Sequence, residues 1–171
     1  MNGVRYAFVR TRAGTALVAS RAGKVVASFL PSTEEGALVR RLRSRFPGAE
    51  EAPAPQVAGA GALRRWLEGD PADLSAVPVD LEGAPPFAAR VYASLREVPP
   101  GSTVTYGDLA RRAGSPGAAR AVGRAMATNP LAPFVPCHRV VGSDGALTGF
   151  SAPGGIEFKG RLLAAEARAN P

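Results

Sequence analysis

The sequence predicts an α+β protein in two parts: a small antiparallel sheet with helices, then a helical part containing a helix-turn-helix. Three observations predict it. Short apolar runs punctuated by Gly fill the first thirty residues. Apolar residues at helical spacing follow from Leu38 onward. After residue 103, two short helical stretches are joined by a Gly-containing turn. The chain has 171 residues, of which 46% are apolar, enough for one large or two small cores. A boundary is expected near Gly83-Ala84-Pro85-Pro86, giving domains over 1–83 and 84–171.

In the first domain Val4, Tyr6 and Phe8 alternate with polar or small residues, and Ala13-Gly14 turns the chain. Ala16–Ala19 forms a second run, Arg21-Ala22-Gly23 a second turn and Val25–Leu30 a third run, so an antiparallel meander is expected. A helix should start after Pro31, capped by Ser32 or Thr33, with Glu34 and Glu35 at its positive end. Leu38, Leu42 and Phe46 mark its apolar side, and Pro47-Gly48 ends it. A second helix is expected over 60–68, with Leu63, Trp66 and Leu67 inward. Val77, Val79 and Leu81 suggest one more strand. In the second domain Phe87, Val91 and Leu95 define a helix that stops at Pro99-Pro100-Gly101. Another spans 107–112 and ends at Gly114. A third runs from Ala118 to Thr128, barred by Pro130. The 20 Gly and 16 Pro are aperiodic and read as turns.

The formal charge is +7, which suits a polyanionic partner or simply an Arg-rich solvated surface. One cysteine excludes an internal disulfide and a cysteine-based zinc site. No stretch is apolar enough to span a bilayer and the N-terminus lacks an apolar leader, so a cytoplasmic protein without membrane contact is expected.

The single cysteine, Cys137, is followed at once by the single histidine, His138. An imidazole beside a thiol can generate a thiolate nucleophile. An isolated Cys-His pair is more often a buried structural thiol beside an unrelated ring. The context changes this. Pro136-Cys137-His138-Arg139-Val140-Val141 is preceded by Arg120-Ala121-Val122-Gly123 and by Asn129-Pro130. Val104–Ala110 lies upstream, and Lys159, Leu162-Leu163 and Glu166 lie downstream. From about Phe87 to Glu166 the chain resembles the O6-alkylguanine-DNA alkyltransferase family.

That resemblance implies direct reversal of DNA damage. A methyl or other alkyl group passes irreversibly, once per molecule, from O6-alkylguanine to Cys137, with O4-alkylthymine an open second substrate. It implies a ribonuclease H-like N-terminal domain and a winged-helix-like C-terminal one. His138 would act as base through a water, with Glu166 orienting the ring. Tyr106 would donate to the leaving guanine and Asn129 would tie helix to active-site turn. Arg120 would fill the stack after the nucleotide flips, which is needed because a stacked guanine hides O6. Thr105, Ala119, Ala121 and Gly123 would meet the DNA. Phe150, Ser151, Val140, Pro136 and Lys159 would shape the pocket. The partner implied is double-stranded DNA bearing the lesion. No cofactor or metal is expected, nor a regulatory domain, and the protein should be a monomer.

Two features depart from the family pattern. Phe150 stands where a tyrosine is usual, and Ser151–Gly155 is two residues longer than the shortest family loops, which suggests room for groups larger than methyl. Three other readings compete. A non-catalytic alkyltransferase-like binder would lack Cys137. A cysteine hydrolase normally draws its residues from separate elements. A plain helix-turn-helix protein leaves the Pro-Cys-His-Arg-Val motif unexplained.

Overall fold

A computed structural model describes residues 3–70 and 74–169. They form an α+β fold of two compact units. The first comprises the chain through Asp80 together with Pro130–Phe134, and the second comprises Leu81–Asn129 and the chain from Val135.

In the first unit β1 (Arg5–Thr11), β2 (Gly14–Arg21) and β3 (Lys24–Ser32) form the expected meander, with Tyr6 opposite Ala19 and Phe8 opposite Leu17. Both faces of β2 are buried. Leu17 and Ala19 join Tyr6, Val26 and Phe29 beneath Leu38 and Leu42 of α1 (Glu35–Arg45). Ala16 and Val18, of opposite parity, are fully buried as well, and α2 (Ala60–Leu67) packs on β1. The helix α1 starts later than Ser32 or Thr33 would place it, because β3 runs on through Pro31 and Ser32. Its cap is Glu34, without a side-chain bond, while Ser32 Oγ accepts from the Glu34 amide at 3.2 Å. Glu35 accepts from Arg10 Nε at 2.7 Å, from Arg10 Nη2 at 2.9 Å and from Thr15 Oγ1 at 3.0 Å, joining helix to sheet.

Two strand expectations need correction. A two-residue strand, β4 (Glu50–Glu51), pairs parallel with β1 and was invisible in its acidic sequence. Its edge is held by backbone bonds from Glu50 to Val4 and from Ala52 to Tyr6. Conversely, 77–81 is no strand. A 3-10 turn over Leu74–Ala76 leads to one isolated bridge between Val79 and Val25, flanked by Pro78, which cannot donate. Pro130–Phe134 also belongs here. The Ser28 amide donates to the Pro130 carbonyl at 2.8 Å, and Leu131 and Phe134 are buried.

The second unit carries α3 (Pro86–Arg96), β5 (Val104–Thr105), α4 (Tyr106–Arg112), α5 (Ala119–Ala127), β6 (Val140–Val141) and α6 (Gly155–Ala169). Pro86 occupies the first turn of α3, where a missing N–H costs nothing. Val91, Leu95, Leu109 and Val122 are fully buried and hold α3, α4 and α5 together. The Tyr92 hydroxyl donates to the Ala125 carbonyl at 2.9 Å. β5 and β6 pair in parallel, Val104 with Val140 and Thr105 with Val141. No described helix is long and apolar enough to cross a membrane.

Gly59 caps α2 with φ +85°, and a Cβ there would lie 2.8 Å from Val25 Cγ2 and 2.9 Å from Phe134 Cζ. Gly59→Ala combines left-handed strain with overpacking against a buried ring, so it should destabilise the protein by about 2–4 kcal/mol. A lower urea midpoint with an unchanged slope checks this.

Candidate active site

Cys137 opens a 3-10 turn, Cys137–Arg139, set between buried Val135 and β6. The turn is closed by the Cys137 amide on Val135 O and the Arg139 amide on Pro136 O, both at 2.9 Å. Such a tight turn sends successive side chains in different directions. Cys137 is half-buried, while His138 and Arg139 are buried. The exit of the turn is fixed by the pairing of β6 with β5. Its entry is fixed by Asn129, whose Nδ2 donates to Val135 O at 2.9 Å.

Behind the cysteine lies a buried polar cluster. His138 Nε2 sits 2.7 Å from Glu166 Oε1 on α6. Arg139 grips the same carboxylate with Nε to Oε2 at 3.0 Å and Nη2 to Oε1 at 2.9 Å, and its Nη1 donates to Val98 O at 2.6 Å. The Gly101 amide donates to Oε2 at 3.3 Å. Burial pushes the Glu166 carboxyl up, but the hydrogen bonds and charges of His138 and Arg139 outweigh it and hold the group at about 2. Burial pulls His138 below its ordinary 6.5 against the opposing pull of Glu166, so the ring is neutral at pH 7. A neutral ring facing an ionised carboxylate donates from Nε2 and carries its lone pair on Nδ1.

The thiol is shifted the other way. Burial raises the Cys137 pKa, opposed by the Asn129 hydrogen bond, the Lys159 charge and nearby backbone N–H groups. At neutral pH the group therefore rests as a thiol and needs a base to react. Lys159, fully buried on α6, donates to Val140 O at 2.5 Å and to Thr148 O at 2.9 Å. It thereby joins β6 to the loop that walls the site.

Cys137 lines a cavity of about 400 Å³ in the second unit. Tyr106 comes from α4, Gly123, Met126 and Ala127 from α5, and Thr148–Ser151 from the loop before α6. Tyr106 Oη donates to Thr148 O at 3.4 Å. Phe150 and Ser151 line the cavity, with Phe150 tilted against Phe158 at 6.2 Å between ring centres. The segment Ser151–Gly155 does not form an extended loop. It tightens into a turn from Ala152 O to the Gly155 amide and feeds α6. Gly154, with φ +90°, is needed because a Cβ would lie 2.9 Å from Phe158 Cβ.

Val140, Pro136 and Lys159 do not line the cavity. All three are buried behind it, where the turn and Lys159 support the wall instead of forming it. Thr105 caps α4, accepting from the Asp108 amide at 3.1 Å and donating to Asp108 Oδ2 at 2.8 Å. Arg120 is exposed on the first turn of α5, beside half-exposed Ala119 and Ala121, while Gly123 faces the cavity. Met126, Ala127, Thr148 and Gly149 were not foreseen. Met126 and Ala127 stand three and four residues beyond Gly123, so helical spacing could have found them. The acid partner of Arg139 was likewise open in the sequence, and it is Glu166.

Solved structures with this architecture include the Mycobacterium tuberculosis O6-methylguanine methyltransferase. It is 34% identical, with a TM-score of 0.72, covering 98% of this chain and 95% of that one. The chain belongs to the O6-methylguanine methyltransferase family. The family model for the 6-O-methylguanine DNA methyltransferase DNA binding domain matches residues 86–168, which include every residue of the cavity and the dyad behind it. A curated methylated-DNA–protein-cysteine methyltransferase from Mycolicibacterium paratuberculosis is 48% identical over 95 residues, 56% of each chain. The chain spans about half the length of the curated relatives it matches. A Mycobacterium tuberculosis OGT solved in complex with DNA is 32% identical, with a TM-score of 0.73, covering 98% of this chain and 95% of that one.

The charge state of this family member's buried cluster has a measurable consequence. Glu166 is held below its ordinary 4.5, so the stability it contributes is present above that value and is lost as pH falls from there toward 2. His138, also lowered, contributes stability that is present above 6.5 and begins to be lost as pH falls below it. Urea midpoints should therefore decline in two acid stages, the Glu166 stage being on the order of 3 kcal/mol. Glu166→Gln should abolish the lower stage. By leaving Arg139 buried without its counter-charge, it should also cost about 3–5 kcal/mol at neutral pH.

Proposed function

We propose that the chain repairs alkylated DNA by moving the alkyl group from O6 of guanine to Cys137 Sγ, one lesion per molecule. The observation that carries this reading is the lone thiol at the wall of a base-sized cavity with the neutral His138–Glu166 dyad behind it. The family membership supports the same chemistry.

The sequence of events follows from the charge states. His138 Nδ1 takes the thiol proton, directly or through a water, and Glu166 stabilises the imidazolium that forms. The thiolate attacks the alkyl carbon. The S–C bond forms as the C–O bond breaks, and the electron pair leaves on the guanine. Tyr106 donates a hydrogen bond to the base as that charge develops, and the proton held on His138 restores neutrality. Asn129 and Lys159 act as positioning residues, through the Val135 and Val140 carbonyls that frame the turn. Phe150 presents an apolar wall suited to methyl and larger alkyl groups.

A guanine inside a duplex cannot reach the cavity, so the nucleotide must rotate out of the stack. Exposed Arg120 suits the vacancy, since a planar guanidinium can stack on bases and bond to the orphaned one. Ala119, Ala121 and Gly123 keep that face of α5 small, as close approach to a groove requires. The partner is then duplex DNA met by a monomer, and a cytoplasmic setting keeps the thiol reduced.

Incubation with an oligonucleotide carrying O6-methylguanine should add one methyl to the intact mass, mapped to Cys137, and none in Cys137→Ala. An unmodified wild-type protein that still binds the lesion would favour the non-catalytic binder. Arg120→Ala should slow repair of the duplex while sparing transfer from a free O6-alkylguanine base. Equal losses on both substrates would remove Arg120 from the flipping step.

A further inference from the structure

The helix α1 in the first unit carries Arg40, Arg41, Arg43 and Arg45 within six residues, all exposed. Five residues of helix rise about 7.5 Å, so four positive charges crowd into little more than one turn. None of the four forms an ion pair among the described residues. The unit's other arginines include four that do: Arg10 with Glu35, Arg21 with Asp80, Arg64 with Glu68 and Arg65 with Asp70. Glu35 at the start of the helix gives no relief, since it is held by Arg10 and Thr15. Arg41 and Arg45 stand four apart, a like-charge spacing that destabilises a helix.

The ordinary account is that basic residues complement the negative end of a helix. It covers Arg43 and Arg45, which lie in the last turn. It does not cover Arg40 and Arg41, because the effect fades within that turn. Two of the guanidinium groups also lie over aromatic rings, Arg41 4.5 Å from the centre of Phe29 and Arg45 5.4 Å from that of Phe46. A cation over a ring face is attracted to it, which restrains the side chain and lowers the entropy lost on gripping an oxyanion. Closely spaced, exposed guanidinium groups with no ion-pair partner among the described residues match a partner with evenly spaced anions, as in the phosphates of a nucleic-acid strand.

We infer that α1 is a second DNA contact, binding backbone phosphates without regard to sequence or lesion. The inference rests on the reading that the chain works on DNA, and it assigns part of that binding to the unit that holds no part of the candidate active site. Arg40, Arg41, Arg43 and Arg45 supply the contacts, and the neutralised phosphates release their counterions.

The test uses the full chain and an undamaged, fluorescently labelled duplex, with affinity measured between about 50 and 200 mM salt. The variant R40Q/R41Q/R43Q/R45Q should reduce the magnitude of the slope of log K against log salt by about 3, and weaken binding roughly tenfold to a hundredfold at the upper salt. Its rate of transfer from free O6-benzylguanine should match wild type, which shows that it is folded and that the pocket is intact. The variant R40K/R41K/R43K/R45K, which keeps the charge, should retain most of the slope. An unchanged slope in the Gln variant would overturn the proposal. So would a poly-glutamate peptide competing as well as DNA at equal charge, which would turn the surface over to an acidic protein. Failure of the repair reading would show separately, as absence of methyl on Cys137.

Discussion

Four hydrogen bonds converge on the Glu166 carboxylate, from His138 Nε2, twice from Arg139 and once from the Gly101 amide. A buried charge costs several kcal/mol to desolvate, and only a partner of matching geometry offsets that. Arg139 is that partner. Its bidentate grip keeps Glu166 ionised, and an ionised Glu166 in turn fixes the tautomer of His138. The same guanidinium holds Val98 O, so the end of α3, the cysteine turn and α6 meet at one carboxylate. Loss of either charged partner, Arg139 or Glu166, would leave the other buried without its counter-charge, which makes the pair a condition of the fold.

Around this centre the charge states are complementary. The thiol is pushed up and the imidazole down, so the resting site holds a proton on sulfur beside a neutral ring. A permanently ionised thiolate would react with any oxidant or electrophile that entered. A resting thiol paired with a neutral base withholds the nucleophile until a proton can be taken from it. The backbone cage built by Asn129 and Lys159 holds the turn through the Val135 and Val140 carbonyls, and Lys159 ties it to the cavity wall at Thr148.

Much of this could be read from the residues alone, and what could not has physical causes. Periodicity located the meander and five of the six helices, because each buries one face against a sheet or bundle. α6 was seen only as scattered matching residues. Gly154 precedes it and Gly155 begins it, both with positive φ, and its buried members, Lys159 and Glu166, are charged, so hydrophobic periodicity says little there. β4 escaped because Glu50 and Glu51 contribute only backbone to the sheet, and the 77–81 run misled because its apolar residues flank a proline. At the site, the motif brought Cys137, His138, Glu166, Tyr106 and Asn129 onto the page together. It did not separate the wall of the cavity from its support. Pro136 and Val140 lie within three residues of Cys137, and Lys159 bonds Thr148, yet all three are buried and none is among the residues that line the cavity.

The five residues Pro130–Phe134 interrupt the second unit and pack with the first, so the chain passes between units at three points. Leu131 and Phe134 are shaped for the N-terminal core and lie only a few positions ahead of the reactive thiol. A boundary drawn near residue 84 cuts the connectivity but not this interleaving. The N-terminal unit is thereby discontinuous in sequence: it includes the chain segment that runs directly into the cysteine turn, so an N-terminal fragment ending near residue 80 would lack part of its own core.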